Sequence, residues 1–535
     1  MRVHFVAVCG TGMGALAGLF LEAGHEVSGS DVAYDAPMGP ALVRWGVRCL
    51  EGFDPAHLEP RPDLVVIGNV CRRDNPLARA AIDGGIPYTD MAHALADHVL
   101  VGRSPLVVAG THGKTTTTAM AAWLLAETER DPGFLVGGLP KNFDASFRLG
   151  KRARRLVDPA GGAVLRAPPF VVEGDEYDTA FFEKTPKLWH YRPDVAILTS
   201  IEHDHVDVYP TEESYLDAFH GFVARVPATG LIVAAAADAK VRAIVSGAKA
   251  PVTWFALEGD DTGGIAPEWL AAPAIESGSA QTFDLFAGGA AAGRFTLPSP
   301  GRHNLRNALA ALAACAEGYG SPLDKLRVAL AKFAGVGRRQ DLLGTPDGVV
   351  VYDDFAHHPT AVDETLRALA KRHPGARLIA VFEPRSATAC RAMHQDAYAA
   401  AFDVAAQVIL APRGRAKVDG EALDLDRLVR DLGARGKDAI AARDLDAVVA
   451  EVTASARRGD VVALLSNGAF GGVPARVVAA LAARALRGRR WRFRRGSRAS
   501  SRHSSRRASA RGECRSTRSA RRSARGRPRR TRSMR

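Results

Sequence analysis

Short apolar runs alternate with amphipathic runs along most of the chain. The first hundred residues predict strands at His4–Val8, Glu26–Gly29 and Asp63–Ile67, with a helix at Ala15–Ala23. Strands that alternate with helices in this way predict a parallel sheet covered by helices. Because the alternation returns beyond residue 326, we expect more than one such sheet.

Changes in this pattern divide the chain into four segments. We predict a first domain at 1–103, a central domain at 104–325, a third domain at 326–486 and a tail at 487–535. A chain of 535 residues has room for about three or four domains. The glycine- and alanine-rich stretch 258–295 predicts variable strands and loops at the surface. The predicted fold class is α/β, with three domains followed by a disordered tail.

Charge separates the tail from the rest of the chain. Composition is that of a soluble globular protein, with 47% hydrophobic and 24% charged residues. The net charge of +13 comes from the arginine- and serine-rich tail, in which Glu513 is the one acid. The folded body is acidic without it, so we expect no nucleic-acid partner for that body. The tail is either the run-on end of a GC-rich reading frame or an arm that binds polyanions.

The remaining composition favours the cytoplasm. Six scattered cysteines, without a Cys-x-x-Cys pair, predict a reduced compartment and neither a disulfide framework nor a zinc cluster. Arg2 and the apolar run after it resemble a signal peptide, but cleavage there would remove a strand and a glycine loop. No uncharged apolar run reaches the roughly 20 residues of a membrane span.

Residues 109–118, Ala-Gly-Thr-His-Gly-Lys-Thr-Thr-Thr-Thr, carry the strongest chemical signal. They follow a β-prone stretch and precede a helix-like run at Ala119–Ala126. Glycines let backbone amides point at an anion, and the next helix directs its positive end there. Lys114 adds a charge for terminal phosphates, and the Thr115 hydroxyl can bind Mg²⁺. The segment predicts an ATP site, although Val108 replaces the first glycine of the P-loop pattern and a threonine-rich helix cap is the alternative.

A second glycine loop lies near the N-terminus. Gly10-Thr-Gly12-Met13-Gly14 follows the first predicted strand, and Asp31 comes about 20 residues later. This pattern is typical of a loop that binds a pyrophosphate at a helix N-terminus. It indicates a diphosphate more firmly than it indicates NAD.

Polar clusters follow several predicted strands of the central and third segments. They are Glu173–Glu176, Glu202–His205, Asp353–His358, Glu383–Ser386 and Ser466–Gly472. Because ligands gather at the carboxyl ends of parallel strands, these clusters predict one cleft, although turns also favour Asp, Ser, Asn and Gly. Thr115 and Glu173 are candidate Mg²⁺ ligands, and His205 is a candidate ligand for a second cation.

Five motifs in this order resemble the Mur ligases, the ATP-dependent amide-forming enzymes of peptidoglycan synthesis. They are Gly110–Thr117, Glu173–Glu176, Glu202–His205, Gly301–Asn304 and Asp354–Pro359. The resemblance extends over nearly all of residues 1–486. It implies a Rossmann-like UDP-sugar domain, a P-loop ATPase-like central domain and a Rossmann-like domain for the amine-bearing acceptor. It also implies ATP and Mg²⁺ as cofactors, and we expect a cytoplasmic monomer.

Three further stretches indicate the branch of the family. Glu176–Phe182, Glu383–Ser386 and Ser466–Gly472 resemble the branch that acts in peptidoglycan recycling. That branch joins UDP-N-acetylmuramate to the murein tripeptide L-alanyl-γ-D-glutamyl-meso-diaminopimelate through an acyl phosphate. The branch that adds free L-alanine is the alternative. No lysine occurs between Lys187 and Lys240, so the chain resembles members that work without a carbamylated lysine.

The resemblance also implies roles for residues that match the family's motifs. The UDP-sugar would be bound by Gly10, Gly12, Met13, Gly14 and Asp31. ATP would be bound by Gly110, Thr111, His112, Gly113, Lys114, Thr115, Thr116, His303, Asn304, Arg339 and Asp354. Mg²⁺ would be held by Thr115, Glu173 and His205. The catalytic residues would be Lys114, His357, His358 and Arg385, with a base such as His358 taking the amine proton.

Two other functions explain fewer of these motifs. The first glycine loop alone would fit an NAD-dependent dehydrogenase, which leaves the ATP loop unexplained. An ATP-gated switch tethered by its basic tail would use the ATP loop and leave the strand-end clusters unexplained.

Overall fold

Three main sheets follow one another along the described part of the chain. The computed structural model describes residues 1–35, 38–152, 167–277, 280–414 and 420–487. All three main sheets belong to one unit, Met1–Leu481. The predicted disorder of the tail falls outside the described residues beyond 487. Every helix of the described residues falls short of the length and hydropathy that a membrane crossing requires.

The first sheet confirms the alternation predicted from the apolar runs. Its elements are β1 (Arg2–Val6), α1 (Thr11–Glu22), β2 (Glu26–Asp31), α2 (Met38–Trp45), β3 (Arg48–Glu51), β4 (Leu64–Ile67), α3 (Pro76–Asp83), β5 (Tyr88–Asp90) and α4 (Met91–Ala94). The strands pair in parallel in the order β3-β2-β1-β4-β5. The first glycine loop leaves β1 where this order reverses, which is where open α/β sheets bind ligands.

The central sheet has ten strands and contains the ATP loop predicted from sequence. Its elements are β6 (Ser104–Ala109), α5 (Lys114–Glu127), β7 (Gly133–Leu135), β8 (Phe147–Arg148), β9 (Pro169–Gly174), β10 (Asp178–Ala180), β11 (Glu183–Pro186), β12 (Val195–Leu198), α6 (Glu212–Val223), β13 (Leu231–Ala235), α7 (Ala239–Val245), β14 (Val252–Leu257), β15 (Trp269–Ser277), β16 (Ala280–Ala287), β17 (Ala290–Leu297), α8 (Arg302–Ala313) and α9 (Leu323–Leu330). The order is β17-β16-β15-β14-β13-β12-β6-β9-β7-β8, and β10 and β11 form a separate hairpin.

Two features of this sheet refine the sequence prediction. Strands β15, β16 and β17 pair antiparallel at one end, so the stretch 258–295 contributes edge strands. Helix α5 begins at Lys114, five residues before the predicted Ala119. Threonines are poor helix formers, but here the Thr118 hydroxyl donates to the Lys114 carbonyl at 2.8 Å.

The third sheet brings the predicted polar strand ends to one edge. Its elements are β18 (Asp341–Gly344), β19 (Val350–Asp354), α10 (Pro359–Arg372), β20 (Leu378–Phe382), α11 (Gln395–Ala401), β21 (Gln407–Leu410), α12 (Leu425–Ala434), β22 (Asp438–Ala441), α13 (Leu445–Ser455) and β23 (Val461–Leu465). The order is β18-β19-β23-β20-β21-β22, with β18 antiparallel to its neighbour. Because β19, β23 and β20 are adjacent and parallel, the segments that follow them meet at one edge.

The first and central domains share one hydrophobic core. Phe147 of β8 packs edge-on against Trp45 of α2, with ring centroids 4.8 Å apart. Helix α1 lies so close that a Cβ on Gly18 would sit 2.0 Å from Cζ of Phe147. Glycine at this position therefore allows the two domains to approach. The three-domain α/β fold is confirmed, and the exact domain boundaries stay a prediction.

Candidate active site

The loop between β6 and α5 needs glycine at two positions. Gly110 and Gly113 have positive φ angles of 126° and 81°. A Cβ on Gly113 would also lie 2.3 Å from Oδ1 of Asn307. Gly113 has no side chain to cap α5, so the first backbone amides of that helix can bind an anion.

Lys114 belongs to a buried chain of three charges. Its Nζ lies 2.9 Å from Oε2 of Glu176, and Oε1 of Glu176 lies 3.2 Å from Nε2 of His205. Burial disfavours the charged form of all three side chains, but attraction between the opposite charges outweighs this effect. Lys114 and His205 lower the pKa of Glu176 to about 2, and Glu176 with Asp204 raises the pKa of His205 to about 9. Carboxylates around Lys114, chiefly Glu176, raise its pKa as well.

Thr115 and Glu173 form a pair of oxygen donors beside this chain. The Thr115 hydroxyl donates to Oε2 of Glu173 at 3.1 Å, and the Gly137 amide donates to Oε1 at 2.5 Å. Burial, followed by repulsion from Asp175, raises the pKa of Glu173 to about 7. Two oxygens from a hydroxyl and a carboxylate suit a hard cation, so these residues fit Mg²⁺.

His205, the third predicted metal ligand, lies in a different environment. Its imidazole is hydrogen-bonded to Glu176 and carries a proton at neutral pH. A protonated imidazole has no lone pair for a metal, so it would first have to give up that proton. The ligand role of His205 stays a prediction.

The third domain reaches the ATP loop through Arg339 and the segment after β19. Nη2 of Arg339 donates to the Thr115 hydroxyl at 3.1 Å. Asp354 accepts the backbone amides of Gln340 at 2.6 Å and Ala356 at 2.8 Å. Asp354 therefore holds together the two segments that carry Arg339 and His357.

The two predicted catalytic histidines differ in their hydrogen bonds. Nδ1 of His357 donates to the Phe355 carbonyl at 3.1 Å, and its Nε2 lies 3.9 Å from Asp204. Nδ1 of His358 instead accepts the Thr360 amide at 3.4 Å and caps α10. Burial lowers the pKa of both, that of His358 to about 3, so both are neutral.

One cavity of about 1750 Å³ joins the three domains. It contains most of the predicted site residues: Gly10, Gly12, Met13, Thr111, His112, Gly113, Lys114, Thr115, Thr116, Glu173, His205, His303, Asn304, Arg339, Asp354, His357 and His358. A smaller cavity of about 370 Å³ is lined by Arg385 and shares His205, Ser386 and Asn467 with the first.

Three other predicted residues, Asp31, Gly110 and Gly14, are not among the residues that line the cavity. Asp31 accepts the Cys9 amide at 2.7 Å and so braces the first glycine loop. Gly110 accepts Lys114 Nζ through its carbonyl at 2.7 Å. Gly14 lies on α1, where a Cβ would come within 2.4 Å of Sδ of Met38. Any direct contact of these three residues with a ligand stays a prediction.

Sequence reasoning gave no role to several residues that the site contains. Asn307 is one helical turn beyond Asn304 and packs against Gly113, a spacing that could have revealed it. Glu202 begins the strand-end motif that also contains His205, and it contacts His112 at 2.9 Å and His358 at 3.2 Å. Its partners come from distant parts of the chain, so spacing gave no signal for them.

Family models match three consecutive parts of the chain. They are the Mur ligase family catalytic domain at 2–101, the Mur ligase middle domain at 108–315 and the Mur ligase glutamate ligase domain at 338–468. The chain belongs to the Mur ligase family. It is therefore an ATP-dependent amide-forming ligase.

Similar proteins cover nearly the whole length of the chain. The UDP-N-acetylmuramate–L-alanyl-γ-D-glutamyl-meso-2,6-diaminoheptandioate ligase of Escherichia coli K12 is 37% identical over 487 residues, 91% of this chain and 99% of that relative. A murein peptide ligase of Psychrobacter arcticus with a crystal structure is 34% identical, with a TM-score of 0.68 over 90% of this chain and 99% of the other. The UDP-N-acetylmuramate–L-alanine ligase of Roseiflexus sp. RS-1 is 35% identical over 413 residues, 75% of this chain and 83% of that relative.

Proposed function

We propose that the protein joins UDP-N-acetylmuramate to the tripeptide L-alanyl-γ-D-glutamyl-meso-diaminopimelate, at the cost of ATP, in peptidoglycan recycling in the cytoplasm. One observation carries the proposal: a single cavity extends from the first glycine loop past the ATP loop to His357 and Arg339. Its volume of about 1750 Å³ exceeds the roughly 300–1000 Å³ of a site for one small ligand. Similarity to the Escherichia coli tripeptide ligase over 91% of this chain supports this acceptor. We also expect the protein to be a monomer.

The glycine loops divide the substrates between the domains. The loop with Gly10, Gly12 and Met13 would take the diphosphate of the UDP-sugar at the N-terminus of α1. The loop from Thr111 to Thr116 would take the ATP phosphates at the N-terminus of α5. The lactyl carboxylate of the sugar would then lie between the two loops, next to the terminal phosphate.

The reaction proceeds in two steps. The carboxylate attacks the γ-phosphorus of ATP, ADP leaves, and an acyl phosphate forms. Lys114 and the amides of α5 stabilise the charge on the transferred phosphoryl group. Thr115 and Glu173 would hold Mg²⁺, which neutralises charge on the phosphate oxygens. The L-alanyl amine of the peptide then attacks the acyl carbon, and phosphate leaves.

The amine must lose a proton during this attack. Nδ1 of His357 donates to a carbonyl, so its Nε2 carries the lone pair that can accept this proton. Asp204, 3.9 Å away, would stabilise the resulting imidazolium. We therefore favour His357 over His358 as the base.

The acceptor is tested by ADP release in the presence of UDP-N-acetylmuramate and either the tripeptide or free L-alanine. We expect faster turnover with the tripeptide. Faster turnover with free L-alanine would instead identify the L-alanine-adding branch. The Lys114→Ala variant should lose both reactions, whereas Lys184→Ala, which removes an exposed partner of Asp178, should keep them.

A further inference from the structure

Three side chains from separate segments meet beside the ATP loop. His112 comes from the loop before α5, Glu202 from the segment after β12, and His358 from the N-terminus of α10. One nitrogen or oxygen of each lies within 4.8 Å of the others. Nε2 of His112 is 2.9 Å from Oε2 of Glu202, and Nδ1 of His358 is 3.2 Å from the same oxygen. We call these three residues the His-Glu-His cluster.

The hydrogen bonds around the cluster place two acceptors face to face. The Thr360 amide donates to Nδ1 of His358, so that nitrogen presents its lone pair. Oε2 of Glu202, 3.2 Å away, belongs to an ionised carboxylate that also accepts the Thr360 hydroxyl at 2.8 Å. Two electron-rich atoms at this distance repel each other unless a cation lies against both. Nε2 of His358, on the other side of the ring, has no hydrogen-bond partner within the described part of the chain.

Two of the three separations in the cluster are close to those in the coordination sphere of a transition metal, and the third is within 4.8 Å. Two ligand atoms about 2.1 Å from a zinc ion, at a tetrahedral angle, lie about 3.4 Å apart. The cluster has edges of 2.9 and 3.2 Å around the shared carboxylate oxygen. Two imidazoles and one carboxylate are a common ligand set for Zn²⁺ and Co²⁺, whereas Mg²⁺ prefers oxygen ligands. Glu202 has a side chain 37% exposed, so a fourth position is open to the cavity.

The geometry points to a divalent transition-metal site formed by His112, Glu202 and His358, which would take Zn²⁺ or Co²⁺. It differs from the Mg²⁺ site proposed at Thr115 and Glu173 in both its residues and its donor atoms. A metal here ties the ATP loop to the third domain, because two ligands belong to the central domain and His358 caps α10 of the third domain.

The test uses the full-length protein, purified without a histidine tag and stripped with a chelator. It is titrated with Co²⁺ while the visible absorption of the bound ion is followed. We expect one equivalent to bind, to be displaced by Zn²⁺, and to resist excess Mg²⁺. Glu202→Gln and His358→Gln should each weaken binding by more than the about 100-fold that loss of an outer partner can cause. Failure of Co²⁺ to bind, or binding that survives both substitutions, overturns the site.

Two further variants keep the result interpretable. His93→Gln removes a histidine that contacts a carboxylate, Asp90, at 2.6 Å in the first domain, and it should leave the affinity unchanged. Thr360→Val keeps every charge of the cluster and removes only the hydroxyl that orients Glu202. It should weaken Co²⁺ binding by about 10-fold. The site can therefore still be tested if the Glu202→Gln and His358→Gln variants misfold. The titration contains neither ATP nor muramyl substrate, so its outcome is independent of the proposed ligase reaction.

Discussion

The two interfaces of the central domain, called junctions here, depend on different interactions: one is apolar and the other is polar. Toward the first domain, Phe147 and Trp45 lie in a continuous hydrophobic core. Toward the third domain, Arg339 and Thr360 donate hydrogen bonds to Thr115 and Glu202. Apolar burial holds surfaces together without regard to charge, whereas polar contacts can exchange partners with water or a ligand at little cost.

Because of this difference, we expect the apolar junction to determine stability and the polar junction to affect activity. Removing Phe147 should lower stability, because the first junction depends on packing. Removing Arg339 should lower activity, because the third domain brings that side chain to the hydroxyl of Thr115. The substrate cavity lies across both junctions, so one wall is fixed by packing and the other is assembled from hydrogen bonds and ion pairs.

The largest effect is expected from breaking the apolar junction. Phe147→Ala should lower the free energy of unfolding by about 3–5 kcal/mol, because it removes a buried aromatic ring and leaves a cavity. Denaturant unfolding measures this loss. Leu139→Ala is the matched control, since Leu139 is 52% exposed and should cost little. Equal losses in the two variants would show that the shared core does not hold the first domain in place.

The complementary variant breaks the polar junction. Arg339→Ala should reduce the rate of ADP release by about 100- to 1000-fold, since it removes a half-buried cation that we expect to bind ATP. Its effect on unfolding should be smaller than that of Phe147→Ala. Arg294→Ala, which removes an exposed partner of Asp284 on an edge hairpin, should keep full activity. A rate close to that of the unsubstituted enzyme would remove Arg339 from the proposed site.

The ATP site beside the polar junction should also respond to pH, through two buried acids three residues apart. Glu173 has its pKa raised to about 7, from an ordinary 4.5, so the stability linked to its protonated form is lost as pH rises from 4.5 through 7. Glu176 has its pKa lowered to about 2, so the stability linked to its charge is lost as pH falls from 4.5 through 2. Each group contributes a slope of at most about 1.4 kcal/mol per pH unit.

Unfolding in the presence of a chelator measures both slopes. Glu173→Gln should flatten the dependence between pH 4.5 and 7, and Glu176→Gln should flatten the dependence below pH 4.5. An unchanged profile in Glu173→Gln would mean that this carboxyl titrates normally. The same raised pKa predicts that Mg²⁺ affinity increases as pH rises toward 7, because the metal needs the ionised carboxylate.

The sequence predicted those elements of the fold that are determined by residues close together in the chain. Strand β4 was predicted within one residue of its observed bounds, because a fully buried parallel strand reads as a continuous apolar run. The start of α5 was missed because Lys114 is followed by four threonines, which are poor helix formers, and in the structure their burial overrides this preference. Polar residues after predicted parallel strands also predicted that the segments after β19, β20 and β23 would lie together.

The pairings within the site could not be predicted in the same way. Glu173, near the end of β9, and Glu176, just after that strand, have the same side-chain chemistry, but their pKa values move in opposite directions. The cause is that Lys114 and His205 contact Glu176 directly, whereas burial dominates at Glu173. Similarly, the contact of Glu202 with His358 depends on the approach of the central and third domains. Residue spacing carries no information about such an approach.

The smallest effect is expected from removing a single hydroxyl at the polar junction. Thr360→Val keeps the shape of the side chain and removes its hydrogen bond to Oε2 of Glu202, at 2.8 Å across the polar junction. Thr360 and Glu202 line the substrate cavity, so the loss of about 1 kcal/mol should appear as about a 5-fold rise in KM for the peptide, with the free energy of unfolding nearly unchanged. Thr453→Val, which removes a hydroxyl bonded to the Val449 carbonyl within α13, is the control and should leave KM unchanged. If Thr360→Val instead lowered stability and left KM unchanged, this hydrogen bond would serve to fasten the domains together, as the packing of Phe147 does.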